Sequence, residues 1–233
     1  MHMGLLEVII DLLAPPRCVV CGIEGSGLCG ACSMTEILAY GERCWRCGKL
    51  SRRSRTCPSC QSFGGPRYVW VTTTYETATA QLIRTYKFGH KRYMSRSLAS
   101  LMVETFLANN SDEMIAHSDY LVCHVPTASR RVRQRGFDHA ELLAKAIARR
   151  LDLRFQPSIG RLGQSSQVGS SRHERLKQSA ENYFIRQPGL VAGRNILLID
   201  DVITTGGTIR AAAKALRAAG AKHVDALIFA KRL

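Results

Sequence analysis

Long hydrophobic runs are what this sequence lacks. The apolar stretch Gly4 to Leu13 is broken by Glu7 and Asp11 and halts at Pro15-Pro16. It falls short of the roughly 20 apolar residues that cross a bilayer, so an integral membrane protein is not expected. An early positive charge, a longer uninterrupted run and small residues before a cleavage point are missing too, which argues against a signal peptide and for a cytoplasmic protein. Leu5, Leu6, Ile9, Leu12 and Leu13 fall near helical spacing, as in a short helix packed on its own protein; attachment to a membrane surface is the alternative. Acidic residues are also scarce, with 18 Asp and Glu against 33 Lys and Arg, a formal charge of +15. That imbalance points to polyanionic partners, either nucleic acid or phosphorylated metabolites. The apolar content of 45% and charged content of 22% are those of a globular chain with a real core. The 233 residues suffice for one ordinary domain and a small module.

Past residue 60 cysteine nearly vanishes. Cys123 lies in the apolar run Tyr120 to Val125 and reads as a small buried hydrophobe rather than a nucleophile. The other eight form four Cys-x-x-Cys pairs, Cys18/Cys21, Cys29/Cys32, Cys44/Cys47 and Cys57/Cys60. Zinc takes four thiolates in a tetrahedron, and a two-residue spacer lets one tight turn deliver two sulfurs to one ion. Two structural zinc ions are therefore expected. A disulfide framework would need an oxidising compartment, which the missing signal peptide argues against. The pairs either form two successive ribbons or interleave; the short gaps of seven and nine residues favour succession. Two tetrathiolate sites would bring the net charge to about +11, still strongly basic.

Composition shifts at Ser62 to Pro66, which sets the expected boundary between a module over residues 1–65 and a second domain over 66–233. Tyr68 to Tyr75 and Leu121 to Val125 read as strands, and Thr79 to Phe88 and Arg96 to Leu107 as helices. Asp138 to Leu151 reads as an amphipathic helix with Asp138 as N-cap and Leu142, Leu143, Ala146, Ile147 and Leu151 inward. Asn195 to Ile199 is a continuous apolar run ending at Asp200-Asp201, the pattern of a strand covered on both faces. A helix from Thr208 to Ala219 stops at Gly220, and Val224 to Ala230 returns as a strand. This unit predicts an α/β fold with a mostly parallel sheet and flanking helices.

In such sheets ligands bind at the carboxyl ends of strands, where Asp200 and Asp201 lie. Thr204, Thr205, Gly206, Gly207 and Thr208 then supply hydroxyls and backbone N–H groups for an anion at a helix start. An acid pair for a vicinal diol, followed within a few residues by an anion loop, fits the two ends of ribose 5-phosphate.

The run ILLIDDVITTGGT, residues 196–208, resembles the phosphoribosyl pyrophosphate (PRPP) motif of the type I phosphoribosyltransferases. With Val125-Pro126, the stretch Arg130 to Asp138 and the N-terminal cysteine pairs, nearly the whole chain is similar to the ComF/GntX family of competence-related proteins; many members carry Asn where this chain has Asp138. The resemblance implies a type I phosphoribosyltransferase-like domain behind a double zinc ribbon. It implies that Asp200 and Asp201 hold the ribose hydroxyls and that Thr204 to Thr208 hold the 5-phosphate. Pro126 to Arg131 would lie at the pyrophosphate, with Arg130, Arg131, Arg133 or Arg135 stabilising its departure. The polar segment Gly163 to Tyr183, with Arg172, His173, Arg175 and Lys177, resembles the mobile loop that closes over PRPP; an ordinary exposed loop is the other reading. Two main functions follow, with a regulator that uses the same fold to sense PRPP as a third. One is a protein of DNA uptake or use of external DNA, binding PRPP or another phosphoribosyl ligand and single-stranded DNA, beside the uptake machinery. The other is an active Mg²⁺-dependent phosphoribosyltransferase with an unidentified acceptor. Trp45, Arg46, Lys49, Arg52, Arg53 and Arg55 form a basic, aromatic patch suited to nucleic acid or else to a purely structural module. His90 reads as a surface residue.

Overall fold

The computed structural model describes residues 15–89, 91–110, 119–161 and 183–232. The expected N-terminal helix, His90 and nearly all of the lid segment lie outside these residues. Among the described residues seven strands form two sheets. Five of them, β1 (Val69–Thr74), β7 (His223–Lys231), β6 (Asn195–Ile203), β2 (Tyr120–His124) and β3 (Arg154–Phe155), make one parallel sheet in that spatial order. The remaining two, β4 (Ile159–Arg161) and β5 (Tyr183–Ile185), pair antiparallel.

Both faces of the parallel sheet are covered, and this is why β6 reads as an unbroken apolar run. Leu197 and Ile199 enter one core with residues of α3 (Thr77–Phe88), α4 (Met94–Asn109) and α6 (His139–Arg150). Ile196 and Leu198 enter the opposite core with Ile209, Ala212, Ala213 and Leu216 of α7 (Gly207–Ala218). The sequence-based boundaries hold to within a few residues, with one informative difference. β6 does not stop before the acids but continues to Ile203, because pairing with β7 runs on to Ile203 opposite Lys231 and supplies the backbone partners. On α6, Leu143, Ala146 and Ile147 are buried while Leu142 and the C-cap residue Leu151 are only half-buried.

At the amino ends of the strands, Asp225 is wholly buried. Its carboxylate accepts from Arg67 Nη2 at 2.8 Å, Tyr120 Oη at 2.7 Å and the Tyr68 backbone N at 3.0 Å, tying β7 to the starts of β1 and β2. Asp225→Ala removes the acceptor and strands a guanidinium and a buried hydroxyl. It should cost about 3 kcal/mol, read as a lower urea midpoint with unchanged slope.

The N-terminal module is made of two knuckles. In each, the residue after the second cysteine is a glycine in the left-handed region, Gly22 (φ +79°) and Gly48 (φ +73°), whose N–H returns to the first cysteine's carbonyl at 2.9 Å. Short helices α1 (Gly30–Glu36) and α2 (Pro58–Gln61) carry Cys32 and Cys60.

Candidate functional site

Cysteine pairing is successive. Cys18, Cys21, Cys29 and Cys32 form one cluster and Cys44, Cys47, Cys57 and Cys60 the other, with the sulfurs of each cluster within 4.8 Å of one another. The Cys21–Cys29 and Cys47–Cys57 sulfurs are 3.6 Å apart. A zinc tetrahedron with Zn–S near 2.3 Å has edges of about 3.8 Å, so both donor sets fit structural zinc. Burial pushes the Cys44 thiol up, but backbone N–H groups of Cys47, Cys57 and Arg46 outweigh it and lower it to about 6, while burial and the neighbouring sulfurs raise Cys60 to about 12.

The acid pair lies near the carboxyl end of the central strand. Asp200 is half-buried and Asp201 is 3% exposed. Adjacent strand residues point to opposite faces, so the two carboxylates meet different surroundings. Lys87 Nζ from α3 stands 2.9 Å from Asp201 Oδ1 and 2.8 Å from Oδ2, and His139 Nε2 from α6 is 2.8 Å from Oδ2. Arg135 Nη1 lies 3.0 Å from His139 Nδ1, which makes Nδ1 the acceptor and turns Nε2 toward Asp201 Oδ2, an oxygen that receives no well-aligned hydrogen bond. Burial opposes ionisation of Asp201, but the His139 imidazole and the Lys87 charge outweigh it and hold its carboxyl below the usual range. Asp200 goes the other way: burial, then the charge of Asp201, push its carboxyl well above the usual range.

Three residues on, the threonine-glycine loop begins. Thr204, Thr205, Gly207 and Thr208 are exposed and Gly206 is buried. Gly206 has φ +76° and is the N-cap of α7, with no side-chain cap, so the first N–H groups of this 12-residue helix have no partner from its own turn. Lys231, 8% exposed, ends β7 with Nζ 3.5 Å from the Thr204 carbonyl, and burial lowers its pKa.

Beyond β2 the chain forms a loop over 125–128 and then α5 (Ser129–Arg135), so the expected pyrophosphate loop ends in a helix rather than running to Arg131. Gly136 at φ +75° closes that helix. Arg130, Arg131 and Arg133 are exposed. Arg135 instead turns inward, onto His139 and over the Phe88 ring at 4.7 Å, where it cannot meet a solvent-side anion. Asp138 is the N-cap expected, accepting from Ala140 N and Glu141 N, and it also binds Thr127 N at 3.0 Å and Thr127 Oγ1 at 2.9 Å. One carboxylate thereby starts α6 and fixes the loop.

Trp45 corrects the expectation of an aromatic surface on the ribbon. It is 1% exposed and packed in the core beside α7, because the ribbon folds against the sheet domain. Arg46 lies 3.3 Å over the Phe63 ring, while Lys49, Arg52, Arg53 and Arg55 are exposed. Lys87 and His139 were missed by the sequence reading, since no local spacing relates either to the acids. Cys123 is fully buried, as expected, and burial raises its thiol to about 11.

His124, at the end of β2, is 4% exposed and stacks on Phe155. Burial lowers its pKa against the opposing charges of Asp138 and Glu141, with Arg186 and Lys145 adding to the lowering. A histidine whose folded pKa is depressed contributes stability above its unfolded value, and loses it as pH falls. The urea midpoint should therefore drop as pH falls below about 6.5, and the drop should be smaller in His124→Phe.

The central acid pair, the Thr-Gly loop opening a helix and the parallel sheet define a phosphoribosyltransferase-type domain. A phosphoribosyl transferase domain model matches residues 138–233, and a double zinc ribbon model matches residues 9–61. Competence protein ComFC of Streptococcus pneumoniae is 30% identical over 204 residues, covering 86% of each chain. DNA utilization protein YhgH of Escherichia coli K12 is 26% identical over 216 residues, covering 85% of this chain and 94% of that one. Competence protein F of Haemophilus influenzae is 26% identical over 227 residues, covering 90% and 94%. The chain belongs to the ComF family of competence proteins. Among solved structures, the allosteric regulatory enzyme of purine biosynthesis aligns at 18% identity and a TM-score of 0.42, over 62% of this chain and 29% of that one. Among the described residues no helix is long and apolar enough to cross a membrane.

Proposed function

We propose that this protein binds PRPP or another ribose 5-phosphate ligand and serves DNA uptake or the use of external DNA in the cytoplasm. Asp200 and Asp201 take the ribose hydroxyls, and Thr204, Thr205, Gly206, Gly207 and Thr208 take the 5-phosphate. The supporting observation is the pairing, in nine residues, of two carboxylates held in opposite protonation tendencies with an exposed threonine loop that opens an uncapped helix. The 1–65 module holds two structural zinc ions, and the 66–233 domain carries the ligand site. The relatives' names, competence and DNA utilization, support the biological setting. Exposed Lys49, Arg52, Arg53 and Arg55 offer charge for single-stranded DNA.

An active transferase is the second reading, favoured by Arg130 and Arg131, exposed at the start of α5 beside the loop that Asp138 anchors. They would stabilise departing pyrophosphate. Mg²⁺ would arrive with pyrophosphate, because both Asp201 oxygens already face cationic or N–H donors.

Two assays separate the readings. Pyrophosphate release from PRPP and Mg²⁺ across a panel of amine and nucleobase acceptors reports transfer. Single-stranded DNA binding across salt reports a nucleic-acid grip, whose affinity should fall steeply as salt rises. Absence of both PRPP binding and salt-sensitive DNA binding would overturn the proposal.

A further inference from the structure

The second zinc knuckle is built into the ligand loop. Between Cys44 and Cys47, Trp45 crosses to the sheet domain and lies under Gly206. A β-carbon placed on Gly206 would come within 2.0 Å of Trp45 Cζ3 and 2.7 Å of Cη2, both in the distal ring of the indole. One on Gly65 would come within 2.7 Å of Cζ2. Gly206 thus lacks a side chain for two reasons, its φ of +76° and the ring beneath it. The indole is itself fixed. Its Nε1–H donates to Thr56 Oγ1 at 2.9 Å, and that hydroxyl donates to the Pro66 carbonyl at 2.7 Å. The same wall grips α7 from outside: Arg210 Nε donates to the Phe63 carbonyl at 2.8 Å, and Arg217 Nη1 to the Gly65 carbonyl at 3.0 Å. Ile203 and Ile209, which flank the loop, share the indole's core.

We infer that Trp45 is a positioning residue for the 5-phosphate: the ribbon's indole is the floor that holds Gly206, and with it the N–H groups at the start of α7, in the anion-binding geometry. This deepens the proposed ribose 5-phosphate site and rests on it. The loop's own sequence is rich in glycine and threonine and cannot fix its backbone by side-chain packing, so the rigidity comes from outside. The ring contributes no hydrogen bond to ligand. It acts by denying the loop other conformations, which would otherwise reduce the fraction competent to bind.

The test is Trp45→Phe in the full zinc-loaded chain. A phenyl ring keeps the buried aromatic but cannot fill both halves of the indole, so it gives up the distal edge that meets Gly206 and the Nε1–H bond to Thr56. Calorimetry with ribose 5-phosphate and, separately, with Mg²⁺-pyrophosphate reads the two parts of the site in one sample. Ribose 5-phosphate should bind about tenfold more weakly, the equivalent of one charge-assisted hydrogen bond lost, while pyrophosphate affinity stays within about twofold. Hydrogen exchange of the amides at 205–209 should quicken in the variant without ligand, a change that general destabilisation would spread over the whole sheet. Equal ribose 5-phosphate affinity with unchanged exchange at 205–209 would overturn the inference and leave the site intact. Should Trp45→Phe fail to fold, Thr56→Val, which removes the indole's anchor together with that hydroxyl's bond to the Pro66 carbonyl but keeps the ring, takes its place under the same two criteria. If the unaltered protein binds no ribose 5-phosphate, it is the site proposal that fails, whatever the exchange data say of Trp45.

Discussion

Asp200→Asn should stabilise the protein and remove its ligand binding, whereas Asp201→Asn should destabilise it. The neighbours have opposite surroundings. Asp200 is raised by burial and by the charge beside it, so its ionised form opposes folding near neutral pH. Asparagine keeps the acceptor for the Asp201 N–H, which Asp200 Oδ1 now receives at 2.9 Å, and relieves the repulsion. A gain of about 1 kcal/mol is expected, of the kind found where a functional site stores unfavourable charge. Asp201 faces Lys87 and His139 in a nearly solvent-free setting, and neutralising it leaves the lysine uncompensated. That should cost about 3 kcal/mol. The pH dependences also oppose. The depressed Asp201 contributes stability that is lost as pH falls through its folded value, while Asp200 contributes stability at low pH that is lost as pH rises. Urea unfolding of both variants at neutral pH checks the signs. Two variants moving in the same direction would contradict the charge assignment.

Removing metal from the second cysteine cluster should have the other large effect. Cys44 is fully buried, and its neighbour Trp45 belongs to the core shared with α7, so this cluster is not an appendage. Cys60→Ser should lower stability by about 3 kcal/mol or more, a fall in Tm of about 10 °C for a chain of this size. It should also reduce the zinc content by half, measured by atomic absorption. A variant with unchanged Tm and full zinc content would contradict the four-sulfur assignment.

The parts of the candidate site legible in the sequence are those contiguous in it. Asp200, Asp201 and the Thr204 to Thr208 loop lie in one strand-loop-helix segment, and the alternation of β6 between two cores is written as an apolar run. The cysteine clusters were legible because a knuckle is a local turn, and even their successive pairing followed from short spacings. What could not be read joins distant elements. Lys87 lies 114 residues from Asp201, and nothing about its neighbours separates it from a surface lysine. His139 follows a capping aspartate and reads as an ordinary first-turn residue. Trp45 looked like a binding aromatic because a knuckle in isolation has no core in which to bury it; the sheet domain supplies that core. Arg135 sits in a run of arginines whose others face solvent, and only its contacts with the buried His139 ring and the exposed Phe88 ring explain its inward turn. The end of β6 was placed too early for the same reason, since its last pairs depend on β7.

The central claim is that this chain retains a working ribose 5-phosphate site, and calorimetric titration of the unaltered protein with PRPP and Mg²⁺, beside Asp200→Asn, tests it most directly. Saturable 1:1 binding that is weakened by more than about tenfold in a variant at least as stable as the parent is the predicted result. No heat of binding in the unaltered protein, or equal affinity in the variant, would contradict it.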